Sequence, residues 1–236
     1  MKVVIAGGNG FIGQVLTDKL IKKGYEIVIF TRNPSLYVQR RPQVRYLQWL
    51  TPKAIPEKAL TDVDVVINLA GQSINSGRWS KKRKTLIRQS RIETTEEILR
   101  ILRAIDRKPA MLVNASAIGY YDSSFTDTYT EESTTISQSF LGQTVQKWEQ
   151  TASAANEMGM RTVYCRFGIV LGKKAGALPL ITLPYRLFLG GTIGSGNQWM
   201  SWIHVEDIAR AIIFIIENQT INGPVNMTAP NPVTNK

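Results

Sequence analysis

Apolar positions along this 236-residue chain come in two textures. Short apolar-rich segments at 3–6, 25–30, 44–49, 63–69, 111–114 and 161–166 have the length and composition of strands, the first an unbroken apolar run. Between them, apolar residues recur every three or four positions at 14–21, 81–105, 138–158 and 207–217, the spacing of helices. The alternation predicts a parallel sheet wrapped by helices through right-handed crossovers. Pro52 and Pro56 keep any helix between the third and fourth strands short. After Gly168 the periodicity dissolves. Glycines at 172, 176, 190, 191, 194 and 196 and prolines at 179 and 184 predict loops or short elements there, before the helix at 207–217 and a short strand at 223–227.

The turn between the first strand and the first helix reads Gly7-Gly8-Asn9-Gly10-Phe11-Ile12-Gly13. Strand, glycine turn, helix is the setting in which such spacing signifies dinucleotide binding. Gly7 permits the tight turn, Gly10 lets backbone approach a pyrophosphate, and Gly13 removes a side chain where helix and strand pack. The helix's first amide hydrogens then face the phosphates. The second strand ends in Thr31-Arg32, where a cofactor with a free ribose 2′-hydroxyl usually meets Asp or Glu. A guanidinium instead suits a 2′-phosphate, so NADP(H) is expected over NAD(H). The whole predicts an α/β fold of Rossmann type, a doubly wound parallel sheet. Residues 1–170 form its NADP-binding domain, and 171–236 form a small substrate-side subdomain interleaved with it.

Composition narrows the class. With 43% hydrophobic and 20% charged residues the chain is globular, and no run approaches the ~18 apolar residues of a membrane span. The first strand is needed by the fold, which argues against a signal peptide. A single cysteine, Cys165, leaves no internal disulfide, and a reducing cytoplasmic location is expected. No metal-ligand constellation is visible. The net charge of +11 raises nucleic-acid binding. Much of it lies in Arg78, Lys81, Lys82, Arg83, Lys84, Arg88 and Arg91, with only Trp79 interleaved, so a solvated helix face partly reaching cofactor phosphates is expected rather than nucleic acid or membrane.

These residues resemble the extended short-chain dehydrogenase/reductase superfamily. They are most similar to its atypical branch of NAD-dependent epimerases/dehydratases, which includes SDR39U1-type sugar epimerases. GGNGFIG at the start, NLAG at 68–71, RW at 78–79 and SR at 90–91 carry the resemblance, with SAIGYY at 116–121, WE at 148–149 and CRFGIVLG at 165–172. GSGNQWMSWIH at 194–204 and TAPNP at 228–232 complete it. Members of that branch run some tens of residues further, so the carboxyl-terminal, substrate-side part is expected to be incomplete here. The resemblance adds Leu69, Ala70, Gly71, Arg91 and Arg166 as cofactor positions; each arginine has a structural ion-pair role as its alternative.

Short-chain dehydrogenases move a proton with a tyrosine beside a lysine four residues later on one helix face. None of the eight tyrosines has lysine at that spacing. Where the motif falls, the helix reads Phe140-Leu141-Gly142-Gln143-Thr144-Val145, and neither 140 with 144 nor 141 with 145 supports acid–base chemistry. Alignment on Tyr121 puts Ala117 at the usual serine position, with Ser116 one residue earlier. The atypical branch shares this departure. Catalytic candidates are therefore Tyr120, Tyr121 and Ser116. His204, the one histidine, is read as structural and oriented by Asp207, and Glu131, Glu132 and Glu149 as surface or helix-cap residues.

Two functions follow. One is an NADP(H)-dependent oxidoreductase or epimerase acting on a carbonyl or nucleotide-sugar-like small molecule, with Trp199 and Trp202 suited to stacking on a sugar face. The other is an NADPH-binding sensor without turnover, favoured by the missing tyrosine–lysine pair. Some relatives are labelled cell-division inhibitors, which agrees with the second.

Overall fold

Val3 and Ile5 of strand β1 (Lys2–Ala6) join one apolar cluster and Val4 and Ala6 another, so β1 must be covered on both faces. That requirement sets the architecture. In the computed structural model, which describes residues 1–37, 43–75, 77–192 and 194–236, β1 lies inside a seven-stranded sheet. Helix α1 (Phe11–Lys22) follows it, then β2 (Glu26–Thr31), β3 (Val44–Gln48) and β4 (Val65–Asn68). Helix α2 (Lys81–Ala104) leads to β5 (Met111–Ala117), and α3 (Phe140–Ala152) leads to β6 (Arg161–Phe167). Beyond these come β7 (Ile169–Leu171), α4 (Leu178–Arg186), β8 (Trp199–Met200), β9 (Trp202–His204), α5 (Val205–Glu217), β10 (Gly223–Met227) and β11 (Val233–Thr234).

The sheet order is β3-β2-β1-β4-β5-β6-β10, parallel at every pairing. The chain builds outward from β1 in one direction, then crosses back to lay β4 on its other side. Strand order reverses at the carboxyl ends of β1 and β4, the place where doubly wound sheets bind their ligands. Helices α1 and α5 pack on one face, with Leu16, Leu20, Ile208 and Ile212 fully buried. On the other face α2 and α3 supply Ile98, Leu102 and Ala152.

The expected strands and helices are present, with boundary shifts that have local causes. The 138–158 helix is α-helical only to Ala152 and tightens into a 3-10 stretch over Ser153–Met158, ending at Gly159 with φ 76°. Between β3 and β4 the proline-broken segment holds one short 3-10 turn, Pro56–Ala59. Helix α5 starts at Val205 rather than 207 because His204 caps it: the Glu206 amide donates to His204 Nδ1 at 3.3 Å. Asp207, expected to orient that histidine, pairs instead with Arg210. The stretch after Gly168 is not one separate unit. It returns α5 and β10 to the main core, while β7–β9 and β8–β11 form two small sheets of their own.

Candidate functional site

The glycine loop lies flush against the end of β4. A Cβ on Gly7, whose φ is 81°, would sit 2.6 Å from the Leu69 carbonyl oxygen, so this turn and the approach of β4 both require glycine. A Cβ on Gly13 would fall 2.3 Å from the Gly7 oxygen and 2.6 Å from the Gly8 Cα. Gly13 therefore lets the helix close on the turn itself, rather than on the strand as the spacing suggested. Gly10 differs, because its Cβ would meet only the Gly7 oxygen, at 3.2 Å. Its other side is open.

Helix starts show the same asymmetry. Among the helices of twelve or more residues, α2, α3 and α5 have side-chain caps from Ser80, Ser139 and His204. α1 has Gly10 at its cap, no side-chain acceptor and no acidic residue in its first turn. Its leading amides and the positive end of its dipole are left to an external acceptor. Asn9, Phe11 and Ile12 belong to this opening.

A buried polar network fixes the loop after β4. The Asn68 amide donates to Asn114 Oδ1 at 2.8 Å and to Thr95 Oγ1 at 2.9 Å, while its oxygen accepts the Ala70 amide hydrogen at 3.2 Å. Trp148 Nε1 also donates to Thr95 Oγ1, at 3.0 Å. These contacts hold Leu69, Ala70 and Gly71 against the glycine turn. At the tip of β2, Thr31 is buried and Arg32 is exposed, with no ion pair for Arg32 among the described residues.

The three catalytic candidates gather around one arginine. Arg166 is 3% exposed and binds Glu149 with two parallel bonds of 2.9 Å, Nε to Oε1 and Nη2 to Oε2. Ser116 donates to the same Oε1 at 2.5 Å. Arg166 Nη1 donates to the Tyr121 hydroxyl at 2.7 Å, and that hydroxyl donates onward to Asn226 Oδ1 at 2.9 Å. The guanidinium also stands 3.6 Å from the centroid of the Tyr120 ring. Burial alone pulls the Arg166 pKa down, but Glu149 and then Tyr121 outweigh it and leave the group above the usual arginine value. The structure thus brings Ser116, Tyr120, Tyr121 and Arg166 together. It gives Arg166 the ion-pair role that was its alternative, and it overturns the surface reading of Glu149, which is 9% exposed.

Ser116 and Tyr121 are buried with both hydroxyls already donating inside the protein. Tyr120 is half-buried, and its hydroxyl has no hydrogen bond among the described residues. At the start of α3, Phe140 packs edge-on against Trp79. Thr144 is turned back on its own helix, donating to the Phe140 carbonyl at 2.7 Å. A covering segment closes over this cluster. Tyr129 stacks on Tyr121 at 5.2 Å, Glu131 accepts the Asn226 amide hydrogen at 2.7 Å, and Trp199 Nε1 donates to the Phe125 carbonyl at 3.0 Å. Glu131 is thus a tether between that segment and β10.

Arg91 is set differently. It is partly buried, with Nη1 held by the carbonyls of Gln72 at 3.2 Å and Ile87 at 2.8 Å, and its guanidinium stands 5.1 Å from the Trp148 ring centroid. It borders Gly71, whose Cβ would meet Arg91 Cγ at 3.3 Å. Burial first and the Arg83 charge second push its pKa down to about 10. No salt bridge reaches it from the described residues.

A reversing parallel sheet with an uncapped helix over a glycine turn defines a doubly wound, Rossmann-type α/β protein. Residues 3–227 match the NAD dependent epimerase/dehydratase family, and the chain belongs to that family. It is 48% identical over 236 residues to the epimerase family protein YfhF of Bacillus subtilis, covering all of this chain and 77% of that one. Among solved structures, human epimerase family protein SDR39U1 with NADPH superposes with a TM-score of 0.85 at 33% identity, covering 100% of this chain and 76% of that one. A nucleoside-diphosphate sugar epimerase from Corynebacterium glutamicum gives 0.82 at 30%, covering 100% and 48%. A UDP-glucuronic acid 4-epimerase from Bacillus cereus, at 19% identity and 0.81, shares the fold. No helix among the described residues is long and apolar enough to cross a membrane.

Proposed function

We propose that this chain binds NADP(H) across the carboxyl ends of β1 and β4, and acts as an oxidoreductase or epimerase on a carbonyl or nucleotide-sugar-like small molecule. The observation that carries the reading is the α1 start: an uncapped helix, without acidic residues, above a glycine turn that only Gly10 leaves open. Gly7, Gly8, Asn9, Gly10, Phe11, Ile12 and Gly13 cradle the pyrophosphate, and Leu69, Ala70 and Gly71 form the opposite wall. Thr31 and Arg32 take the adenosine ribose, with the Arg32 guanidinium on its 2′-phosphate. The NADPH in the human relative's structure supports the phosphorylated form, and NAD(H) is the weaker ligand. Residues 171–236 contribute the substrate side, and the protein works in the cytoplasm.

The dinucleotide, when bound, supplies hydride-transfer chemistry. Tyr120 supplies the proton, from Oη to the substrate oxygen, because the Ser116 and Tyr121 hydroxyls are committed to Glu149 and Asn226. Arg166 holds the Tyr120 ring from one face and Glu149 holds Arg166. Calorimetric titration with NADPH and NADH, followed by NADPH-oxidation assays across carbonyls and nucleotide sugars, tests the reading. The expected result is tighter NADPH binding that Arg32→Ala brings to the level of NADH, plus turnover that Tyr120→Phe abolishes. Absence of NADPH binding by folded protein defeats it.

A second reading, a cofactor-occupied sensor without turnover, is favoured by one observation: the stretch 140–145, where the tyrosine–lysine pair is expected, holds neither residue, and its Thr144 is bonded to its own helix. Binding without oxidation of any panel compound selects it.

A further inference from the structure

The chain leaves β6 at Phe167, one residue past Arg166, and runs through β7 onto the glycine turn. Two glycines make that contact possible. A Cβ on Gly172 would lie 2.6 Å from Phe11 Cζ and 3.2 Å from Val205 Cγ1. One on Gly176, whose φ is 85°, would lie 2.7 Å from Phe11 Cε1 and 2.5 Å from the Val170 carbonyl oxygen. The Ala177 amide donates to that same oxygen at 3.0 Å and closes the loop. Both ends of the loop 172–176 therefore rest on the ring of Phe11, the first residue of α1. The segment joins the Arg166 cluster to the glycine turn, the two groups of residues that the proposed function assigns to substrate and cofactor.

What this loop presents is Lys173 and Lys174. Both are exposed, and neither has an ion pair or hydrogen bond among the described residues. Residues 158–205 hold five basic side chains and no aspartate or glutamate. Two of the five are used inside the fold, Arg161 on the carbonyls of Ile215 and Ile221, and Arg166 on Glu149. The next acids along the chain are engaged as well: Glu206 holds Lys19 at 2.6 Å, and Asp207 holds Arg210. Lysine pairs on solvated loops are ordinary. This pair differs in that its loop is fixed against the glycine turn, within a stretch carrying one sign of charge. Field and placement both favour a negatively charged ligand group there.

We propose that Lys173 and Lys174 read an anionic group, a phosphoryl or a carboxylate, on the substrate. This rests on the reading that seats a dinucleotide in the glycine turn, and it narrows the substrate to a compound bearing negative charge. Lysine suits the task because a compact ammonium on a long stem meets an oxyanion as a point charge, without the fixed fork of arginine. The cofactor does not need the pair, since in that reading the turn amides meet its pyrophosphate and Arg32 its 2′-phosphate.

The test titrates NADPH-saturated protein calorimetrically with inorganic phosphate and with succinate. It compares wild type, Lys173→Met/Lys174→Met and Lys53→Met/Lys58→Met, the last lowering the net charge equally at two exposed lysines between β3 and β4. The expected result is at least about a tenfold loss of affinity for an anion in the loop variant, with the control like wild type and NADPH affinity unchanged. Loss confined to phosphate assigns a phosphorylated substrate, loss confined to succinate a carboxylate, and loss of both a site that takes either. Equal affinities in wild type and loop variant, equal losses in the two variants, or no binding of either anion by saturated wild type overturn the proposal. A loop variant that loses NADPH affinity overturns it too, because the lysines then serve the cofactor. If folded wild type ignores NADPH, the same anion titrations on ligand-free protein separate the two readings. A loss confined to the loop variant then keeps the lysine site while the dinucleotide reading falls, and no such loss defeats both. Lys173→Gln/Lys174→Gln replaces the methionine pair if that one does not fold.

Discussion

Arg166 and Arg91 are withdrawn from water to different degrees, and they answer that burial in opposite ways. Arg166 lies inside β6 with a carboxylate on its fork, a tyrosine hydroxyl on its third nitrogen and an aromatic ring against its face. Its charge is spent within the protein, so its work is to hold other groups in place. Arg91 has backbone carbonyls, a ring and a second arginine as company, and its pKa is driven down rather than up. A guanidinium kept in that condition costs stability that a fold under no other constraint would remove. The difference separates an arginine neutralised by a carboxylate from one to which the described residues bring none.

The largest expected effect breaks the Arg166 side. Arg166→Met strands the Glu149 carboxylate, 9% exposed, with only Ser116 for a partner. Removing one member of such a pair costs about 3–5 kcal/mol, whereas replacing both with apolar residues of similar volume is often near neutral. Urea unfolding should therefore show a large drop for Arg166→Met and recovery of much of it in Arg166→Met/Glu149→Leu. Additive losses in the double variant would mean that the two residues do not act as a pair.

The next effect has the opposite sign. Ligand-free Arg91→Met should be as stable as wild type or more stable by up to ~1 kcal/mol, because a desolvated, repelled charge is exchanged for an apolar stem. Thermal melting without added anions checks this. A drop comparable to that of Arg166→Met would place both arginines in the structural class and erase the contrast.

Which side was legible in the sequence follows from where the signal resides. The glycine turn and the two-faced strands are local patterns, and Gly7 and β1–β6 are where those patterns put them. Glu149 was misread because acidic residues on helices are usually solvated. Its neighbours carried the correcting signal: Val145, Trp148, Glu149 and Ala152 fall at i, i+3, i+4 and i+7, so the glutamate sits within the buried stripe of α3. An acid in an apolar stripe demands a cation, and the arginine at the end of the buried strand β6 supplies it. The Asn68–Asn114–Thr95 network was out of reach for another reason. Asn68 lies 27 and 46 residues from its two partners and meets Asn114 only through the parallel register of β4 and β5.

A third arginine sharpens the comparison at its weak end. Arg100 is also bidentate, to Glu57 at 2.7 and 3.0 Å, and bonds Glu97 as well, but its side chain is 46% exposed. Geometry as good as that of Arg166 in a wetter place should contribute only about 0–1 kcal/mol, because water and salt screen it. The hydrogen bond from Arg100 holds the Glu57 carboxyl below its ordinary value of 4.5. A carboxylate with a depressed folded pKa adds stability above its unfolded pKa and loses it as pH falls through the folded one. The gap between wild type and Arg100→Met should therefore be small at neutral pH and close as pH drops below about 4.5, measured by urea midpoints across that range. The Arg166→Met deficit, set by burial rather than by the number of bonds, should exceed it several-fold at pH 7. If the two deficits match there, hydrogen-bond geometry rather than desolvation decides what an arginine is worth in this fold.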